Sequence, residues 1–535
     1  MLNCVHVCAA LSLCAVSAAQ GASVWVASPW EHVLRQSPSG EAAEVRITAA
    51  GNEYEPFRVI VTAGDTPLSD ITVTAGALTG PEGQIGSESV ALFREHYIHV
   101  FEPSYRSKAP TGQYPDALIP LTGGPADAGT ATEYPGMPFT VEPNTNQAIW
   151  ADVYVPEGTP AGVYQGTVRI AAGGQMLAEV PVALTVRPFS LPDTIAMRSN
   201  FGGLGGRLAK SLGLEPGSEQ FEAVEDRYID VMLRHRAVPS SLGSIWPKWT
   251  PEEGIDATET HERLRSMVQD RHVNALSVPF SYRDDPEKCK AYLRDLGKYL
   301  QDNGWLDLAY IYMKDEPNDA EEYETVRQQG KIIHESGSGI KGMCTEQTVT
   351  SNPDWGDLYG AVDIWCPLWG LYDEQTARER QALGEEIWSY TALCQGSDRV
   401  PFWQVDFEPI VFRAPFWISW HYDIRGFLYW SSIYWTEGQD MWELGPHFRE
   451  RYWGEGMLLY PGTAAGIEGP VPSIRLKLIR EALEDFEYMT LAAERSRAQV
   501  DEIVSGLARS FTDWEHDPAT YLAARELLAT LIEGR

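Results

Sequence analysis

The sequence predicts a multidomain protein with an N-terminal β-sandwich, a (β/α)8 TIM-like barrel and a C-terminal helical segment. Three observations predict it. Residues 23–190 hold only short alternating runs separated by Gly, Pro and Asn turns. Between 195 and 470, short apolar strands alternate with helical stretches, the signature of βα units around a parallel sheet. From 471 to 535 the apolar spacing is helical. A chain of 535 residues also exceeds what one compact core supports.

Residues 1–19 read as an export signal, so the expected location is secreted or periplasmic. The run VCAALSLCAVSAA is apolar, too short to span a bilayer, and ends in small residues. Leu13 before Cys14 argues against lipoprotein processing. The sandwich follows from runs such as EVRITAAG, FRVIVTAG, AIWADVYVP and AEVPVALTV. RPFSLPDT (187–194), with two prolines, reads as the linker to the barrel.

Eight strand candidates make the barrel. They are AMRSNFGG (196–203), AVPSSLG (237–243), ALSVPF (275–280), AYIYMKDEP (309–317), IKGMCTEQ (340–347), DIWCPLW (363–369), EIWSYTALC (386–394) and GFLYWSSIYW (426–435). A doubly wound open sheet is the alternative. NFGGLGGRL has glycines, but no acid stands at the distance a dinucleotide site requires. The last segment, SIRLKLIREALEDFEYMTLAAERSRAQV, places apolar residues at i, i+3 and i+4 with a charged opposite face, and reads as scaffold packed on the barrel.

Composition narrows the function. A net charge of -33 repels nucleic acid and anionic membranes, and no basic patch reverses it, although a local Arg cluster could override the average for an anionic ligand. After residue 19 no segment approaches the ~20 apolar residues of a membrane span. Eighteen Trp and 24 Tyr supply flat faces suited to sugar rings, or simply to a large core. No cluster with metal-ligand spacing stands among the 11 His, and neither metal nor cofactor is expected. Cys289, Cys344, Cys366 and Cys394 form no CxxC pair; buried thiols are the default and one bridge is the alternative.

In a barrel the strand C-terminal ends carry the site. The fourth candidate ends Lys314-Asp315-Glu316-Pro317 after the apolar run Tyr310–Met313. Such a strand is expected to bury both carboxylates near the mouth and raise their pKa, which suits a proton donor in glycosidic cleavage. Asp373-Glu374 and Asp501-Glu502 are similar pairs, but neither closes an apolar strand. The seventh candidate ends without an acid, and Glu385 and Glu386 lie at its N-terminal end. A separate protein nucleophile there is therefore absent, with Glu346, Asp406 and Glu408 left as loop alternatives. A substrate-assisted route needs none: the 2-acetamido oxygen attacks the anomeric carbon, one acid protonates the leaving oxygen, and another holds the acetamido N–H.

These residues resemble glycoside hydrolase family 123. The resemblance rests on DEP at the fourth strand end, GNEYEPFRVIV (51–61), IWADVYVPEGTPAGVYQGTVRI (149–170), GFLYW, and PSIRLKLIREALEDFEY, and runs over nearly the whole mature chain. It implies a β-sandwich, a (β/α)8 barrel and β-N-acetylgalactosaminidase activity by the substrate-assisted route. It also implies Glu316 as general acid/base and Asp315 as the acetamido-orienting residue. Lys314 stands where the family shows an apolar or aromatic residue, and TALCQGSDRVPFWQVDFEP (391–409) departs from the family pattern.

Candidate substrate-binding residues follow from the strand ends. They are Trp388 and Tyr390 on the seventh, Tyr429 and Trp430 on the eighth, Trp369 after the sixth, and Asn200 on the first. Tyr429 and Trp430 point oppositely, so at most one of them faces the pocket. The partner is a glycan or glycoconjugate, and sequence gives no oligomeric state. Two other readings stay open: a non-catalytic glycan-binding protein, and a hydrolase of another β-hexosaminide or a non-acetylated sugar using Asp406 or Glu408.

Overall fold

The computed structural model describes residues 21–121, 133–350, 352–393, 397, 399–443, 447–448 and 451–535. The expected export signal and Cys394 lie outside these residues. The N-terminal part is β-rich and built of two sheets. One orders its strands Ser23–Ala27, Glu53–Thr62, Asn146–Val155, Val90–Val100 and Gly112–Pro120. The other runs Val45–Gly51, Gln175–Ser190, Gly162–Ala172, Leu68–Ala75 and Phe139–Val141, with two shorter strands attached to it. Phe57, Val59, Ile149 and Val153 share an apolar core with Val73, Ile170, Val182 and Leu184. The Asn146–Val155 strand is buried on both faces: Ala151 and Val153 face that core, while Trp150 joins the barrel core. Of the expected linker 187–194, residues to Ser190 continue the strand, which keeps pairing with Gly51.

Seven of the eight candidate segments form one parallel sheet: Arg198–Phe201, Leu276–Ser277, Ala309–Asp315, Lys341–Thr345, Ile364–Trp365, Glu386–Thr391 and Gly426–Tyr429. In the order of the eight candidates, the sheet reads first, eighth, seventh, sixth, fifth, fourth, third. The second contributes a bridge from Phe201 to Pro239 rather than a strand. Pro239 has no N–H to donate to a ladder, and Pro279 stands just past the short third strand. Among the described residues no ladder joins the second and third segments, so the sheet is barrel-like and nearly closed. The expected βα alternation also lapses once: the fourth and fifth strands flank the helix Ala320–Ser336, but only a short 3-10 turn, Pro353–Trp355, stands between the fifth and sixth. Where helices do follow strands, their starts are capped. Asp285 and Asp319 accept from the Lys288 and Glu322 N–H groups at 3.2 and 2.8 Å.

The C-terminal helices Ile474–Ser505 and Pro518–Ile532 correct the sequence reading in one respect. They pack on the barrel, yet the charged residues in the first half of the first helix, Arg475 to Glu487, are buried against both domains rather than solvated. Arg475 meets Asp116 at 2.8 Å through both carboxylate oxygens. Lys477 and Arg480 share Asp152, Arg480 at 3.0 Å. Arg236 holds Glu484 at 2.9 Å, and Asp485 pairs with Arg413. Among the described residues, no helix is long and apolar enough to cross a membrane.

Asp152→Asn strands two buried cations at once. Removing one partner of a buried pair typically costs about 3–5 kcal/mol, and a loss of that size is expected in urea denaturation; a loss under about 1 kcal/mol would show that water reaches the pair. A second expectation concerns pH. Burial pushes the Glu487 carboxyl up to about 7. The folded state therefore keeps a proton that the unfolded chain releases near its ordinary value of ~4.3. This stabilisation is complete below that value and is lost as pH rises through 7. Glu487→Gln should gain up to about 3 kcal/mol relative to wild type between about pH 5 and 8. Parallel pH profiles of the urea midpoints would contradict it.

Candidate active site

The fourth strand begins with strict alternation. Tyr310 and Tyr312 face the ring interior with Met343, Ile364, Cys366, Trp388 and Tyr390, while Ile311 and Met313 face the outer core. Continued alternation would point Lys314 inward and Asp315 outward. Instead, the register with the fifth strand slips between Tyr312 and Lys314. The slip acts as a bulge, which re-aims side chains at a strand end. Lys314 turns out to Glu322 at 2.6 Å. Asp315 turns back to the Tyr312 hydroxyl at 2.6 Å and the Thr345 hydroxyl at 3.1 Å.

Glu316 then adopts φ 38°, the left-handed region, which costs a non-glycine residue about 1–2 kcal/mol. Its N–H donates to Thr345 Oγ1 at 3.0 Å, and the Asn318 amide holds its carbonyl. Bulge and left-handed residue together place two consecutive carboxylates at the C-terminal rim. The Tyr390 hydroxyl, from the seventh strand, reaches Glu316 Oε1.

The expected burial of the two carboxylates is not found: Asp315 and Glu316 are both exposed. Asp315 forms the last ladder pair, with Thr345, and Glu316 stands just beyond it, with buried Pro317 following. What is buried is the hydroxyl shell. Burial, followed by the charge of Asp315, raises the Tyr312 pKa; burial and then Glu316 raise that of Tyr390. Both phenols thus stay protonated as donors to the carboxylates. Thr345 closes the triangle, 3.0 Å from the Tyr312 oxygen.

The candidate walls divide. Tyr390 reaches the acid pair. Trp430 lies at the rim after the eighth strand, with its carbonyl beside Gly202 and its Nε1 donating to Glu455 Oε1 at 2.6 Å. Tyr429 points oppositely into the outer core with Phe201 and Trp403, and its hydroxyl accepts from the Gly456 N–H. Four of the expected substrate contacts are therefore corrected. Tyr429 is outside the ring. Trp388 fills the ring against Tyr310, its indole lying where a side chain at Gly426 would go. Trp369 is buried outside the ring, stacked on Phe511 and donating to Ser389 at 3.1 Å. Asn200 is buried with its amide on the Tyr310 hydroxyl.

Sequence reasoning missed Tyr312, Thr345 and Glu455. Thr345 ends the fifth strand and was open to the strand-end rule; Tyr312 was hidden by the bulge. Glu455 sits on a long loop, fully buried, holding Trp430 and accepting from Gln404 at 2.6 Å. Burial raises its pKa.

The loop alternatives are engaged by other partners. Glu346 accepts from Tyr323 at 2.8 Å, Asp406 from the Ser104 N–H at 2.8 Å, and Glu408 faces His516 at 3.2 Å. Glu385 accepts from Trp365 Nε1 at 2.6 Å, and Glu386 pairs with Lys341 at the N-terminal end of the strands. Cys289, Cys344 and Cys366 are free and buried. Among the described residues, no group of His, Cys, Asp and Glu is arranged to hold a metal.

A rim of paired carboxylates on a nearly closed parallel ring, joined to a β-rich domain, is suited to glycoside cleavage, and comparison with protein families makes the class, a glycosidase, definite. Residues 215–492 match the family model "Glycoside hydrolase 123, catalytic domain", and residues 37–172 match "Glycoside hydrolase 123 N-terminal domain". The chain belongs to glycoside hydrolase family 123. Among solved structures it is similar to a family 123 glycoside hydrolase from Clostridium perfringens, described for glycolipid glycan hydrolysis. The match has a TM-score of 0.66 at 14% identity and covers 96% of this chain and 97% of that one. A family 39 glycoside hydrolase from Bacteroides cellulosilyticus WH2 aligns at a TM-score of 0.31 and 8% identity, over 86% and 83% of the two chains, too distant to inform the fold. A comparison with curated proteins finds no match.

Tyr312→Phe removes one hydroxyl from Asp315 and leaves the ring packing in place. A hydrogen bond to a charged group contributes about 1.5–3 kcal/mol, so glycoside turnover should fall roughly 10- to 100-fold with the unfolding midpoint little changed. Wild-type turnover would show that Asp315 needs no such support.

Proposed function

We propose that this enzyme removes terminal β-linked N-acetylgalactosamine from glycans or glycoconjugates, working from the chain end with retention through the substrate's own acetamido group. The observation that carries the proposal is the turning of two consecutive carboxylates into one rim, with Asp315 fixed by two hydroxyls.

Glu316 protonates the leaving oxygen. The acetamido carbonyl oxygen attacks the anomeric carbon and forms an oxazolinium ion. Asp315 accepts the acetamido N–H and offsets the positive charge that develops. Glu316, now deprotonated, takes a proton from water as it opens the oxazolinium. Tyr390 holds one oxygen of Glu316 and leaves the other to exchange the proton. Trp430 at the rim offers a face to the sugar. Glu346 follows Thr345 but accepts from Tyr323, Asp406 accepts from the Ser104 N–H, Glu408 faces His516, and Glu385 and Glu386 stand at the N-terminal end of their strand, which supports a route without a protein nucleophile. The sugar proposed here accords with the glycolipid glycans hydrolysed by the Clostridium perfringens enzyme. Residues 1–19 support export, so the proposed site of action is secreted or periplasmic.

Three aryl glycosides test this reading. The β-GalNAc substrate should turn over fastest, β-GlcNAc more slowly, and the plain β-galactoside slower by orders of magnitude. Comparable cleavage of the galactoside would sink the substrate-assisted route. Glu316→Gln should lose roughly 10²- to 10⁴-fold on poor leaving groups and much less on activated aryl ones. A uniform, small loss would remove it as the acid.

A further inference from the structure

Outside the strand ring, a cavity of ≈ 380 Å³ lies between the helix Glu219–Arg234, the start of Ile474–Ser505 and the first sheet of the β-rich domain. Its size is that of a small-molecule site, and neither Asp315 nor Glu316 lines it. In a protein of net charge -33, its lining reverses sign: Arg227, Arg234, Lys477 and Arg480 stand against Asp152, Asp230 and Glu468.

The pairing leaves a cationic remainder. Arg227 is taken by Glu468 at 2.9 Å, and Asp230 by Arg271. Asp152 alone faces both Lys477 and Arg480. Arg480 also meets Glu481 at 2.9 Å, a carboxyl that burial pushes well up. Arg234, exposed at the entrance, donates through Nε to the Asp230 carbonyl at 3.4 Å and forms no ion pair with a carboxylate among the described residues. One buried acceptor is also unmet. His235 Nδ1 sits 2.6 Å from the Val231 carbonyl, which can only accept, so Nδ1 carries the proton. Its Nε2 is buried with no partner in the protein. Burial holds this imidazole neutral, leaving a lone pair that calls for a hydroxyl donor.

We propose that this interdomain cavity is a second ligand site, taking a small hydroxylated organic anion such as a sugar acid. The anionic group meets Arg234 and the remaining Lys477 N–H groups, a hydroxyl donates to His235 Nε2, and Tyr54 and Phe93 form the walls. The site is separate from the catalytic rim, so its occupancy stabilises the domain seam by mass action rather than competing with substrate.

Calorimetric titration with galacturonate and with galactose tests the proposal. Two variants accompany wild type: Arg234→Gln, at the exposed entrance, and Ala91→Leu, which fills space in the cavity without touching charge. Galacturonate should bind saturably, roughly tenfold or more tighter than galactose, and each variant should weaken it by roughly tenfold or more. Both variants should keep wild-type glycoside turnover. No saturable galacturonate binding, equal affinity for the two sugars, or unchanged binding in either variant would overturn the site.

Discussion

The charged residues Arg475 to Glu487, in the first half of the helix Ile474–Ser505, meet their counterions where water does not reach, and the placement of both domains follows from that. Each partner comes from a different part of the chain: Asp116 and Asp152 from the β-rich domain, Arg236 from the turn after the helix Glu219–Arg234, Arg413 from the segment before the eighth strand. A buried charge without its partner is penalised by several kcal/mol, whereas a buried pair replaced whole by apolar residues is often neutral. The seam therefore specifies one arrangement more than it adds net stability. Arg475 and Arg413 grip their carboxylates through two nitrogens each, which fixes direction as well as distance.

The seam extends to the catalytic rim. Besides holding Asp116, Arg475 donates through Nη1 to the Gly454 carbonyl at 2.6 Å. The next residue, Glu455, holds Trp430, and Gly456 donates to the Tyr429 hydroxyl. One guanidinium thus links the β-rich domain, the long helix and the loop that supports a wall of the mouth. The β-rich domain thereby anchors the arginine that holds this loop.

Local period was legible in the sequence. Alternation named the strands, placed Tyr390 with Trp388 on one face, and separated Tyr429 from Trp430. It failed where a second element decides burial. The helix Ile474–Ser505 carries an ordinary charged face, and only the opposing Asp116 and Asp152, hundreds of residues earlier, make that face interior. Trp369 and Trp388 failed for a related reason: aromatic residues near strand ends serve core and pocket alike, and depth along the strand decides. The second and third strands were over-read because Pro239 and Pro279 were given too little weight as interruptions of a ladder. Burial of Asp315 and Glu316 is not met because the apolar run stops at Met313 and the strand ends at Asp315.

The departure from alternation carries a chemical distinction. A regular strand end sends adjacent side chains to opposite faces, so one of two consecutive acids would be lost to the outer layer. Here the bulge turns Asp315 inward, and the left-handed backbone at Glu316 keeps the second acid on the same side. The strain at Glu316, about 1–2 kcal/mol, is held in place by the Thr345 hydroxyl on its N–H and the Asn318 amide on its carbonyl. The two acids are then treated differently. Asp315 receives two hydroxyls, those of Tyr312 and Thr345, on one oxygen, Oδ1, which set its direction. Glu316 receives one, from the seventh strand, on a single oxygen. A carboxylate fixed in direction by two donors suits a steady acceptor for an N–H group. One held by a single donor is less constrained and can turn an oxygen toward a leaving group. In the proposed reaction, that asymmetry divides orientation from proton transfer between neighbouring residues.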